Sequence, residues 1–160
     1  MNGSSRSAPS RGSIVLLSLL VLNLGVAFGA GVYESRVVIP GWRNLPPSTW
    51  PNTGLLFWAY VTTVPLTALT LLNGIAAWRS RSPARRPWLR AVGVLVLERA
   101  ATFGYFIPTM VGLMGEVAVS PAVVSALERW MLLDYARHVL TLTAWVLALR
   151  ALMEVCRARA

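Results

Sequence analysis

The sequence predicts an all-α integral membrane protein, a single bundle of four transmembrane helices. Three observations carry that prediction. Hydrophobic residues make up 56% of the 160-residue chain and charged residues only 13%, about half the charge of an ordinary soluble domain. Four segments are long and apolar enough to cross a bilayer, which takes roughly 20 residues each. The formal net charge is +9, every one of the fifteen basic residues is arginine, and most of them flank the apolar runs. So few polar side chains could not cover a water-soluble surface, and the hydrophobic content excludes disorder. A charge this positive can mark a nucleic-acid binder. Its placement beside apolar runs argues instead against a nucleic-acid partner and for the lipid bilayer.

Each element follows in order. Residues 1–13 are rich in Ser and Gly, carry Arg6 and Arg11, and read as a disordered tail. Residues 14–33 form the first span. The preceding arginines could also mark a signal peptide, but the apolar run continues past any plausible cleavage point and Phe28 stands where a small residue is needed before Ala30, so a retained helix is expected. Gly25, Gly29 and Gly31 suit close helix approach in lipid; no strand precedes them as a nucleotide loop would require. Residues 40–53 hold Pro46, Pro47, Pro51, Trp42 and Trp50, the composition of a stiff interfacial cap. The second span, 54–77, contains Pro65, a predicted kink. A loop with Arg79, Arg81, Arg85, Arg86 and Arg90 leads to the third span, 88–114. There Pro108 predicts a kink whose freed carbonyl the bundle must satisfy. Residues 116–129 read as short helix and turn, 135–155 as the fourth span, and 156–160 as a tail with Arg157 and Arg159. Two arginines in the first tail, five in the loop and two in the last tail make nine of the fifteen. An excess of this kind marks the cytoplasmic side, which places both termini in the cytoplasm and the chain in the inner membrane.

Several chemistries are excluded. The single cysteine, Cys156, removes intrachain disulfides and with them quinone-linked disulfide exchange. The single histidine, His138, removes a bis-histidine haem. A metal held by His138 with carboxylates is only weakly signalled, since metal sites gather several ligands at recognisable spacing.

The informative residues are the ionisable ones inside the spans. A charge at a helix centre costs about 2.5–3.5 kcal/mol on insertion scales, which makes each a functional candidate. Glu98 lies ten residues after Trp88, about 15 Å along the helix and near the midplane. Tyr105 follows seven residues later on nearly the same face. In the fourth span Asp134, Arg137, His138 and Thr141 share one stripe. Tyr33 and Glu34 close the first span. Glu34, Glu98, Tyr105, Asp134, Arg137 and His138 therefore converge on one depth band, with Tyr33, Trp58, Phe106 and Trp130 as aromatic walls. Charged pairs that only brace the bundle are the plain alternative. Three carboxylates gathered with an imidazole and a phenol favour a pocket.

At these residues the chain resembles the anthrone oxygenase-like family of small membrane proteins. The likeness runs through Gly31-Val32-Tyr33-Glu34-Ser35 to Val38-Ile39-Pro40-Gly41-Trp42, through Tyr105-Phe106-Ile107-Pro108-Thr109-Met110, and through Arg129-Trp130 to Asp134-Tyr135-Ala136-Arg137-His138. It spans roughly residues 25–150 in order. Asp134 stands where the family is expected to have asparagine, and Thr109 also departs from its pattern. The resemblance implies a cofactor-independent oxygenase that converts an activated methylene of a lipophilic aromatic to a carbonyl, without metal or flavin. Glu98 would then be the base, Arg137 the anion stabiliser, His138 an alternative base and Tyr105 a hydrogen-bond donor. The same groups would serve a cyclase, an isomerase or an epoxide-opening enzyme. A proton-coupled carrier of lipophilic molecules is a reading from another class, and as a homodimer it would gain the second half that alternating access needs. An accessory subunit pairing its charged stripe with partner helices is a third.

Overall fold

Four helices long and apolar enough to cross a membrane run through the chain, at Arg11–Trp42, Trp58–Arg79, Arg85–Met114 and Pro121–Arg157. The computed structural model describes residues 11–50 and 56–158, and among them there is no strand. The fold is an all-α four-helix bundle. Its spans pack in a square, the first against the second and fourth and the third against the second and fourth.

Boundaries differ from the sequence reading in instructive ways. The first helix starts at Arg11, so the expected disordered tail is helical from that residue, and residues 1–10 lie outside the described residues. The expected start of the second span at Gly54 lies outside them as well. The fourth span begins not at Tyr135 but at Pro121, and one continuous helix of 37 residues replaces the expected short helix and turn. Ser120 caps it, its side chain accepting from the Val123 N–H at 3.2 Å, and Pro121 takes a position where a missing N–H costs nothing. Buried Val123, Leu127, Trp130 and Asp134 form a stripe at helical spacing through this segment. Thirty-seven residues reach roughly 55 Å, well beyond the bilayer core. The helix also carries Cys156 and Arg157, which the sequence reading assigned to a tail.

Two apolar cores are stacked along the bundle. The one nearer the arginine-rich end is built on Leu17, Leu20, Leu24, Trp88, Leu95, Ala144, Ala148 and Ala151. Asn73 crosses it. Its amide Nδ2 donates to the Leu69 carbonyl at 2.8 Å and the Leu16 carbonyl at 3.4 Å, and its Oδ1 accepts from Trp88 Nε1 at 3.0 Å. The core at the opposite end holds Ile39, Trp50, Phe106, Leu113, Leu127 and Trp130. Trp50 is 4% exposed, stacks on Trp42 with ring centres 5.1 Å apart and donates to the Trp42 and Leu45 carbonyls. Pro51 and the rest of the expected cap to residue 53 lie outside the described residues, and Trp50 is a core residue rather than an interfacial anchor. Ser48 N–H donates to the Glu116 carbonyl at 3.0 Å, which ties the two loops of this end together. Between the cores lies a band of buried polar side chains: Ser35, Thr62, Glu98, Thr102, Asp134, His138 and Thr141.

Three spans widen into a π-turn at the level of this band, at Glu34–Val38, Trp58–Thr63 and Thr102–Phe106. Each stands two residues ahead of a proline: Pro40, Pro65 and Pro108. In each, the residue just before the proline donates its N–H five residues back, Ile39 to Glu34, Val64 to Ala59 and Ile107 to Thr102. A proline has no N–H for the carbonyl four residues earlier and its ring crowds that carbonyl. Widening the preceding turn relieves the crowding. The Val61 carbonyl, four before Pro65, is taken by Asn23 Nδ2 at 2.9 Å.

Candidate functional site

The π-turns border a cavity of about 390 Å³ that runs from the edge of the polar band along the second apolar core, a size that suits a small organic ligand. Its walls are almost wholly apolar, with Val38, Trp42, Phe57, Trp58, Phe106, Met110, Met114 and Trp130 among them, and a carboxyl group, Glu34, and a guanidinium, Arg137, break the surface. Tyr33, Phe57, Ile107 and Val111 line it and are also exposed on the outside of the bundle. The mouth therefore opens sideways, among groups that would face lipid tails.

Glu34 starts the first π-turn and Trp58 starts the second. The widened turns bring them together across two spans, and Trp58 Nε1 donates to Glu34 Oε1 at 2.8 Å. Among the described residues no arginine or histidine forms an ion pair with Glu34 within 4 Å. It is the carboxylate of the band without a cation of its own.

Arg137 is held from behind. Its Nε donates to Asp134 Oδ1 at 2.7 Å and its Nη2 lies 2.6 Å from the same oxygen. The other carboxylate oxygen, Asp134 Oδ2, accepts from Ser35 Oγ at 2.6 Å and faces His138 Nδ1 at 3.5 Å. Asp134 is thus saturated and buried, and it orients Arg137 while contributing no cavity wall. The guanidinium lies over the Phe106 ring, 4.8 Å from its centre, a cation–π contact that also aims it at the ligand space. Phe106 is fixed in turn by an edge-on contact with Trp130 at 5.5 Å, whose Nε1 donates to the Phe106 carbonyl at 3.0 Å.

Glu98 is bound differently. Arg99, its immediate neighbour, folds back to donate from Nε to Oε2 at 2.6 Å and from Nη2 to Oε1 at 2.8 Å. Thr102 Oγ1 adds a third bond to Oε1 at 3.0 Å. A carboxylate chelated in this way is neutralised in place. A second, small cavity of about 30 Å³ lies beside it, lined by Glu98, Arg99, His138, Thr62 and Thr141, and it shares Trp58, Thr63 and Arg137 with the larger one.

Of the residues singled out from the sequence, Tyr33, Glu34, Trp58, Phe106, Trp130 and Arg137 line the large cavity. Glu98 and His138 line the small one. Asp134 supports Arg137 from behind, and Tyr105 packs edge-on against Phe106 at 5.2 Å outside both linings. Sequence reasoning missed Ser35 and Met110. The signal for Ser35 was available: a polar residue adjacent to a carboxylate at the end of an apolar run. Gly31 also proves specific. A Cβ there would overlap His138 Nε2, so the glycine lets the imidazole pass against the first span. Among the described residues no three His, Cys, Asp or Glu side chains gather closely enough to hold a metal ion. No protein-family model, no curated protein and no solved structure matches the chain.

Proposed function

We propose that the protein is a membrane-embedded enzyme carrying out acid–base chemistry on a lipophilic small molecule, with anthrone-type oxygenation of an activated methylene as its specific form. The observation that supports it is the pairing, in one apolar cavity, of a carboxylate without its own cation, Glu34, and an oriented guanidinium, Arg137. Glu34 takes the base role that the sequence suggested for Glu98, because Glu98 already spends both oxygens on Arg99 and Thr102.

The chemistry balances without further residues. Glu34 accepts a proton from the acidic methylene, and Arg137 stabilises the delocalised carbanion. Dioxygen dissolved in the membrane takes up the electron pair and forms a carbon–oxygen bond, giving a hydroperoxide once protonated. Loss of water then leaves the carbonyl, so one methylene and one dioxygen yield one carbonyl and one water. The sideways mouth suits a substrate that partitions into the bilayer. The proposed orientation places the arginine-rich end and both termini in the cytoplasm of a cell with the chain in its inner membrane, so that the cavity opens toward the outer leaflet.

Anthrone itself, a tricyclic ketone with an acidic methylene, is the probe. Protein reconstituted in liposomes under isotopically labelled dioxygen is expected to place the label in the new carbonyl. Glu34→Gln should lower that turnover by about 10²–10⁴, the usual worth of a positioned base, while anthrone still binds. Unchanged turnover in Glu34→Gln overturns the base assignment, and label incorporation no faster than in empty liposomes overturns the oxygenase reading.

A further inference from the structure

We propose that the large cavity is also a binding site for a lipophilic organic cation, an ammonium group on an apolar or aromatic body, with Glu34 as its counter-ion. Such binding is independent of the oxygenase reading, since it needs neither dioxygen nor an acidic methylene. A bound cation would compete with any neutral substrate of the same cavity.

The charge balance is the first support. In and beside the polar band three carboxylates, Glu34, Glu98 and Asp134, stand against two arginines, Arg99 and Arg137. Arg99 chelates Glu98. Arg137 is bound to Asp134, at 2.7 Å through Nε and 2.6 Å through Nη2. Glu34 is left as the carboxylate whose charge the protein itself does not balance. His138 does not supply the missing cation. Its Nδ1 lies 3.5 Å from Asp134 Oδ2, and its Nε2 is buried with no hydrogen-bond partner among the described residues. Charging the imidazole would bury an N–H with no acceptor, which is destabilising. The ring lines only the small cavity besides. A carboxylate in an apolar cavity is costly without a counter-charge, so a ligand that brings one gains most from this site.

The walls are the second support. Tyr33, Trp42, Phe57, Trp58, Phe106 and Trp130 all line the cavity, and aromatic faces attract ammonium groups through the ring quadrupole. Carboxylate and rings are held as one unit. Trp58 Nε1 donates to Glu34 Oε1 at 2.8 Å, and Phe57 meets Trp58 edge-on with ring centres 5.5 Å apart. Glu34 Oε2 has no hydrogen-bond partner among the described residues and is not sealed from a water-sized molecule. Arg137 would repel an ammonium, but it is paired with Asp134, covered by the Phe106 ring and makes no ion pair with Glu34 within 4 Å. The favoured place for the cation is therefore the Glu34–Trp58 side of the cavity. The apolar body of the ligand then runs along Val38, Met110 and Met114, where the walls carry no charge.

Benzyltrimethylammonium is the probe, because its charge is fixed at every pH and its size suits the cavity. It has two controls of similar shape: neopentylbenzene, in which carbon replaces the nitrogen and removes the charge, and benzylsulfonate, in which the charge is reversed. Binding of the radiolabelled cation to the full chain in a nonionic detergent is expected to saturate. Either control should displace it about tenfold less well than the unlabelled cation does. The chain carries a formal net charge of +9, so preference for a cation cannot come from its overall charge. Glu34→Gln, whose amide oxygen can still accept from Trp58, should weaken the cation by about tenfold or more. Undiminished cation affinity in folded Glu34→Gln overturns the proposal. The unaltered chain decides it without a variant: failure to bind the cation, or displacement by benzylsulfonate as effective as by the cation, also overturns it. Cation binding without oxygen label in the anthrone carbonyl would leave this site standing and overturn only the oxygenase reading.

Discussion

Arg137 depends on Asp134 for its charge balance and its aim, and the two side chains act as a unit. Removing one partner of a buried pair leaves the other charge uncompensated, which costs about 3–5 kcal/mol, whereas replacing both by apolar residues of similar volume is often close to neutral. Asp134→Ala is therefore expected to lower stability by about that amount in thermal unfolding in detergent, and Asp134→Leu with Arg137→Met to recover most of it. Anthrone turnover should be lost in both. That combination separates a bracing pair, for which the double variant would be silent, from a pair kept for the cavity. Gly31 poses the complementary test. An alanine there would overlap the imidazole of His138, and forcing extra volume into a packed contact costs about 1–3 kcal/mol. Gly31→Ala should destabilise by that order and shift the His138 ring resonances, whereas Gly29→Ala, with open space around it, should do neither.

At the level of elements, the prolines shape the cavity through the turns before them. Each π-turn inserts one residue's worth of extra rotation, roughly 100°, and so turns the residues on one side of it relative to those on the other. Thr102 and Phe106 are brought onto the cavity wall in this way. Pro108→Ala restores an N–H and removes the crowding, so the third span should relax to a regular helix in which Ile107 N–H bonds the Phe103 carbonyl. Anthrone affinity should then fall by about tenfold, a loss near 1.4 kcal/mol, while the helix itself is no less stable. Pro65 and Pro108 are visible as interruptions in apolar runs, and a kink at each is a fair sequence-level reading. That they widen the helix was not legible, because the compensating bond reaches a carbonyl five residues back within the span, and the freed Val61 carbonyl finds its partner, Asn23, on another span. The chelation of Glu98 by Arg99 was hidden for a related reason. Neighbouring residues do not face each other on a helix, and only the length of the arginine side chain lets it fold back.

For the molecule as a whole, hydropathy made the four-span bundle legible, and it failed only where helix and membrane part company. The stretch from Pro121 to Leu133 carries Glu128 and Arg129 among apolar residues at helical spacing, so it reads as amphipathic rather than membrane-spanning, yet it continues the fourth helix without a break. The two apolar cores with a polar band between them follow the same logic. Apolar faces pack on either side, and the few buried acids sit where cations and hydroxyls can reach them. The proposed orientation gives this arrangement a direction, and the chain contains its own reporter for it. Cys156 is the single cysteine, it is exposed, and it lies at the arginine-rich end, at the close of the fourth helix. A membrane-impermeant maleimide should leave it unmodified in intact cells and modify it after permeabilisation. In a Cys156→Ser background, Ser48→Cys at the opposite end, on an exposed position of the cap, should react in intact cells. Labelling of Cys156 from outside, with Ser48→Cys protected, would invert the bundle and move the mouth of the cavity to the inner leaflet.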